Sequence, residues 1–278
     1  MHSRGGSNYG FPNSNKNPNF GKTNYRMDCK GIKKTFFKYI LPAYAFIPVL
    51  LCPQVSKAQQ LFIKINPVFD NRSLVLDDQN YITANGDTVS IETFKFYLSN
   101  FILVTEDAER AGEKNSYHLV DAQDSTSFYF AVNNIRPWVY KRLQFDIGVD
   151  SLANVSGAMS GALDPIHGMY WAWNTGYINA KLVGHSRPCK TLHHQFDFHI
   201  GGYTNPYNSL RKVVLELDDL PISSSGTTVI ELNADISQWF KGPQIINLFR
   251  TNDIVIPGKS AMMMADNYMD MFSIKKQP

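Results

Sequence analysis

From Leu61 onward the chain is built of short runs in which apolar and polar residues alternate, separated by Gly, Asn, Pro and Asp. A period of two is the mark of half-buried strands, and a chain made of many such runs has few folds open to it. The run from 94 to 104 puts Phe94, Phe96, Leu98, Ile102 and Val104 on one face. Lys95, Tyr97, Ser99, Phe101 and Leu103 take the other, so the strand becomes buried on both sides toward its end. Asn85-Gly86-Asp87 just before it is a hairpin-type turn. Residues 140–149 alternate again, with Leu143, Phe145, Ile147 and Val149 against Arg142, Gln144 and Asp146. Further strands are predicted over 61–68, 117–121, 127–132, 212–217 and 227–232. Helical signal is scarce: Asp235 to Gln238 fits a capping box opening one turn under Trp239 and Phe240, and 150–160 has room for another. The expected fold is all-β, a single antiparallel β-sandwich domain with Greek-key connections and one or two short helical turns. A closed barrel is the second choice. No internal repeat or shift of composition between 59 and 278 marks a second domain.

The first 58 residues differ in kind. Residues 1–26 are rich in Gly, Ser, Asn and Lys and too poor in aliphatics to fold, so a disordered extension is expected there. Met27, an alternative start, opens a secretory signal peptide over 27–58. Lys30, Lys33, Lys34 and Lys38 form its basic region, 39–51 its apolar region, and Ser56-Lys57-Ala58 its cleavage site, with the cut after Ala58. The apolar run holds Pro42 and Pro48 and falls short of the ~20 residues that a membrane span needs. The reading is an exported protein, periplasmic or cell-surface, with no membrane span once mature. Loss of the leader removes nine of the 27 basic and one of the 24 acidic residues, leaving 18 against 23, a net charge of −5. The basic excess therefore belongs to targeting and is no nucleic-acid footprint. Cys189 is the only cysteine of the mature part, so no internal disulfide forms there.

Metal-ligating and oxidisable side chains are densest from His167 to Tyr203, which holds five of the seven His, two of the four Trp and Cys189. Read as a strand, 169–181 puts Met169, Trp171, Trp173, Thr175 and Tyr177 on one face, which His167 joins if the strand extends to it. Farther on, Phe196, Phe198 and Ile200 form an apolar face opposite His193, Gln195, Asp197 and His199. His193 and His199 lie six residues apart, roughly 20 Å along a strand, too far to share an ion. Elsewhere, Met262, Met263 and Met264 with Met269 and Met271 offer either thioethers suited to Cu(I) or core filler. G-x-S-x-G, Walker A and H-E-x-x-H motifs are absent, and no enzyme class is favoured.

Four stretches together carry a resemblance: Phe96 to Phe101 (FYLSNF), Phe145 to Asp150 (FDIGVD), Gly168 to Tyr177 (GMYWAWNTGY) and Phe198 to Gly202 (FHIGG). In this order they resemble the MbnP-like copper-binding domain family over nearly all of residues 60–274. The resemblance implies an exported β-sandwich that binds copper, as Cu(I) or Cu(II), through His and works as a binding protein without catalysis. It also implies a di-haem cytochrome c peroxidase-like partner that oxidises a Trp near the site to kynurenine. Carried to this chain, it makes His199 a copper ligand, His167 or His185 a second, and Trp171 or Trp173 the modified aromatic. The rival reading is an extracellular binding module whose aromatic face takes a carbohydrate or a protein.

Overall fold

The computed structural model describes residues 60–275 apart from Thr175. The predicted extension and signal peptide lie outside the described residues. The framework strands are β1 (Gln60–Phe69), β2 (Thr88–Val104), β3 (Tyr117–Asp121), β4 (Tyr129–Val132), β5 (Val139–Ile147), β6 (Gly176–His185), β7 (Gln195–Gly201), β8 (Arg211–Pro221), β9 (Thr227–Asp235) and β10 (Phe272–Ile274). They form a β-sandwich. One sheet runs β10, β9, β1, with β4 on the far side of β1; the larger runs β8, β5, β2, β6, β7 and the short Asp253–Ile254 strand, with β3 also against β2. The sheets are mixed: β1 pairs with β9 in parallel, Ile63 opposite Ile230, and β7 pairs in parallel with Asp253–Ile254. Remaining pairings between framework strands are antiparallel, as alternation and short turns require.

Inward side chains of both sheets make one core. Leu61, Ile63 and Ile65 from the smaller sheet meet Phe94, Phe96, Leu98, Leu143 and Phe145 from the larger. Phe272 stands edge-on to Phe96 and Phe145 with ring centres 5.7 and 5.1 Å away, the favoured aromatic arrangement. β2 departs from strict alternation at Asn100, whose φ of 56° inserts a bulge between Ser99 and Ile102. Past the bulge Phe101 and Leu103 turn into the main core, in place of Ile102 and Val104 as alternation predicts. Asn tolerates the left-handed conformation, and its side chain is tied there, Nδ2 donating to Asp146 while Oδ1 accepts from the Asn115 amide.

Three short α-helices interrupt the strands. α1 (Ser151–Val155) is capped by Asp150, whose Oδ1 accepts from the Leu152 and Ala153 amides. α2 (Gln238–Lys241) lies under Trp239 and Phe240 as predicted, although Asp235 Oδ1 caps the amide of Ser237 and no capping box forms. α3 (Lys259–Tyr268) has no counterpart in the predicted elements. It buries Ala261, Met264, Ala265 and Tyr268, spaced i, i+3, i+4, i+7, so the methionine cluster is helix packing and core filler.

Candidate functional site

The segment predicted as one strand over 169–181 folds back on itself. Tyr170–Trp171 pairs antiparallel with the start of β6, Trp171 opposite Gly176 and Tyr170 opposite Tyr177, with Ala172 to Asn174 in the turn. Trp171 is consequently buried, 6% exposed, while Trp173 projects at 64%. The two rings remain close, centroids 5.7 Å apart. His167 does not join them on a strand: it ends a single 3-10 turn, Pro165–His167, closed by Gly168 in the left-handed region, and its Nε2 faces the Gly161 carbonyl at 3.1 Å. Trp171, Met169, Tyr177, Ile178, Leu163, Ala153, Val149 and Tyr97 form a second, smaller apolar cluster. Tyr177 OH fastens it by accepting from the Met159 amide at 3.0 Å and donating to the Leu163 carbonyl at 3.0 Å.

β7 has the alternation the sequence predicts. Phe196, Phe198 and Ile200 enter the core, while Gln195, Asp197 and His199 face outward. His199 Nε2 lies 2.7 Å from Asp197 Oδ1. Both atoms are shielded from solvent, and neither has a hydrogen-bonding partner with proper angles. Unsatisfied buried polar atoms are expensive and rare, so a facing pair of them is an unusual feature. Gly201, two residues farther on the same face, explains where Trp171 goes. A methyl group added at Gly201 would stand 2.6 Å from Trp171 Cζ3, so the missing side chain is the space that the indole fills. The indole edge is thereby brought within about two strand residues, roughly 7 Å, of His199.

Across the ladder, Lys181 stands opposite His199, and Lys95 opposite both Lys181 and Asp121. Lys95 Nζ pairs with Asp121 at 2.8 Å. Burial lowers the Lys181 ammonium below its ordinary pKa despite the opposing pull of Asp197, and Lys95 pushes it the same way as burial. Beside the His199–Asp197 pair the row thus runs through two adjacent lysines, Lys181 and Lys95, to Asp121.

The other predicted ligands are not gathered here. His185 lies four residues from the Lys181–His199 pair along the ladder, roughly 14 Å away. Both its nitrogens face acceptors, the His193 carbonyl at 3.1 Å and Glu92 Oε2 at 3.2 Å. His193 and His194 sit in a 3-10 turn before β7, both at positive φ, and His194 Nδ1 meets the Cys189 carbonyl at 3.0 Å. Burial pushes the Cys189 thiol up to about 11, which keeps it protonated and a poor metal ligand at neutral pH. Among the described residues no three of His, Cys, Asp and Glu come together as a metal site.

His199 and Asp197 nevertheless suit two ligand positions. Neighbouring ligands at about 2.0 Å from a tetragonal metal lie about 2.8 Å apart, and imidazole with carboxylate is an N,O set that Cu(II) accepts. Nothing in the sequence marks Asp197 as a ligand, although alternation places it on the His199 face.

A family model named MbnP matches residues 58–263, well over half of the chain, and spans Trp171, Trp173, Asp197 and His199. This chain belongs to the MbnP family. Among solved structures, MbnP from Methylosinus trichosporium is similar, with 14% sequence identity, a TM-score of 0.46, and coverage of 75% of this chain and 83% of that one. No curated protein matches. No helix among the described residues is long and apolar enough to cross a membrane.

Proposed function

We propose that this MbnP-family member is an exported copper-binding protein that captures or handles copper and carries out no catalysis of its own. The observation that carries the reading is the His199–Asp197 pair, whose Nε2 and Oδ1 face each other at 2.7 Å, shielded from solvent and without a well-angled hydrogen bond, beside the Trp171 indole. His199 Nε2 and Asp197 Oδ1 would hold the ion, with its remaining positions left to solvent or to a ligand from outside the described residues. Bound copper supplies a Lewis-acidic, redox-active centre; the protein supplies a fixed nitrogen and oxygen and a face shielded by Trp171. His185 and His167 are too far from this pair or otherwise engaged, so they are peripheral in this proposal.

The same placement makes Trp171 an aromatic beside the proposed metal, with Trp173 its exposed neighbour. If a di-haem peroxidase partner oxidises a Trp to kynurenine, the peptide carrying Trp171 shows it. The binding-module reading loses its main support, because Trp171 and Trp173 share no exposed strand face. Metal analysis of the mature protein isolated from its native compartment tests the proposal. Near-stoichiometric copper is expected; protein that emerges metal-free and refuses both Cu(I) and Cu(II) on reconstitution would sink it.

A further inference from the structure

β8 closes one side of the larger sheet. Residues 211–216 pair with β5, and no strand of the described residues pairs along the other side of β8. Such an edge presents free backbone N–H and C=O groups, a template for one more strand. Val213 and Leu217 point into the sandwich, while Lys212, Val214 and Glu216 point outward and are exposed, Val214 at 47%. Beneath this edge a cleft of about 650 Å³, bordered by Leu217, Leu220, Ile230 and Ile274, opens toward β9 and β10.

The outward row is complementary to itself. Opposite residues of an antiparallel pair share a face, so a two-fold axis through Val214 sets Lys212 against Glu216 of a second copy and Val214 against Val214. Val213 then meets Leu215 on the inner face. The row continues into β5, where Glu216 faces Arg142 and Lys212 faces Asp146, whose Oδ1 takes Lys212 Nζ at 2.9 Å. Across the two copies the charges alternate: Arg142, Glu216, then Lys212 and Asp146 of the second copy. Axes through Lys212 or Glu216 instead bring like charges together, which opposes pairing. An axis farther toward the C-terminal end needs 217–219 in line, but the register breaks there and Asp219 adopts φ 44°. From this self-complementarity we infer that a second copy of this chain occupies the edge, forming a two-fold dimer that joins the two larger sheets through β8.

The mature protein should sediment as a dimer at high micromolar concentration. V214K places two ammonium groups on the axis and should give a folded monomer whose melting curve matches that of wild type diluted until it too is monomeric. In V214C the two introduced thiols face each other at a Cα spacing of about 5 Å, suited to a disulfide. Oxidised glutathione should therefore convert V214C to a covalent dimer, with the glutathione reduced, while V229C on the exposed face of β9 gains no covalent cross-link. Native Cys189 is buried and does not compete. A monomeric wild type leaves the edge to a strand of another protein and overturns the inference, as does a dimer that survives V214K.

Discussion

His199 and Asp197 meet because a strand shows the same face at every second residue, and in β7 that half-exposed face shields the facing Nε2 and Oδ1 atoms from water. Desolvating an imidazole and a carboxylate that lack well-angled hydrogen bonds opposes folding, and removing either group leaves the other without its counter-charge. An ion bound between them reverses that cost in the native state alone, which raises stability by about 2.7 kcal/mol at a ligand concentration of 100 times Kd. Copper should thus raise the melting temperature of the wild type and leave D197A and H199A unmoved; equal shifts in all three proteins would show that the ion binds elsewhere. Glu113 illustrates the opposite, satisfied case. Burial pushes its carboxyl up, but contacts from His118 at 2.6 Å and the Asn133 amide at 3.1 Å outweigh it and hold it below its ordinary value. A depressed carboxyl contributes stability fully above its unfolded pKa of about 4.3, and that contribution is lost as pH falls through the lower folded value. E113Q should cost about 2 kcal/mol near neutrality, and the gap to wild type should narrow in acid denaturation curves. A gap that widens toward low pH would refute that assignment.

At the scale of elements, alternation gives the faces where strands are regular and fails where one residue breaks the count. The faces of β7 follow directly from Gln195 to Gly201, which is why His199 and Asp197 fall together. In β2 the αL residue Asn100 reverses the faces of everything after it, and a single Asn in an apolar run carries no signal of that kind. The hairpin at Trp171 was hidden for a related reason: Met169 to Tyr177 keeps its alternation through the turn, so period alone could not reveal the fold-back. α3 is legible in the helical spacing of Ala261, Met264, Ala265 and Tyr268, although the three adjacent Met read equally as thioether ligands. Gly201 is the hinge of the site's packing. G201A should destabilise the fold by about 1–3 kcal/mol through overpacking and shift the Trp fluorescence as Trp171 is displaced. An unchanged spectrum and melting curve would show that the indole does not rest there.

For the whole molecule, a two-sheet sandwich followed from strand count and turn chemistry, while its parallel β1–β9 pairing did not. Parallel neighbours come from distant parts of the chain, here residues 60–69 and 227–235, and short-range pattern is silent on which strands meet. The same limit applies to the site. The five His between 167 and 199 are spread by the fold over two 3-10 turns, a strand end and one outward strand face. Only His199 retains a second donor and a neighbouring indole. The central claim is therefore narrow: copper binds at His199 and Asp197. Electron paramagnetic resonance of the Cu(II)-loaded protein tests it most directly. The account predicts nitrogen hyperfine structure from one imidazole, abolished in H199A and retained in H185A and H167A; a spectrum that keeps its imidazole coupling in H199A would contradict it.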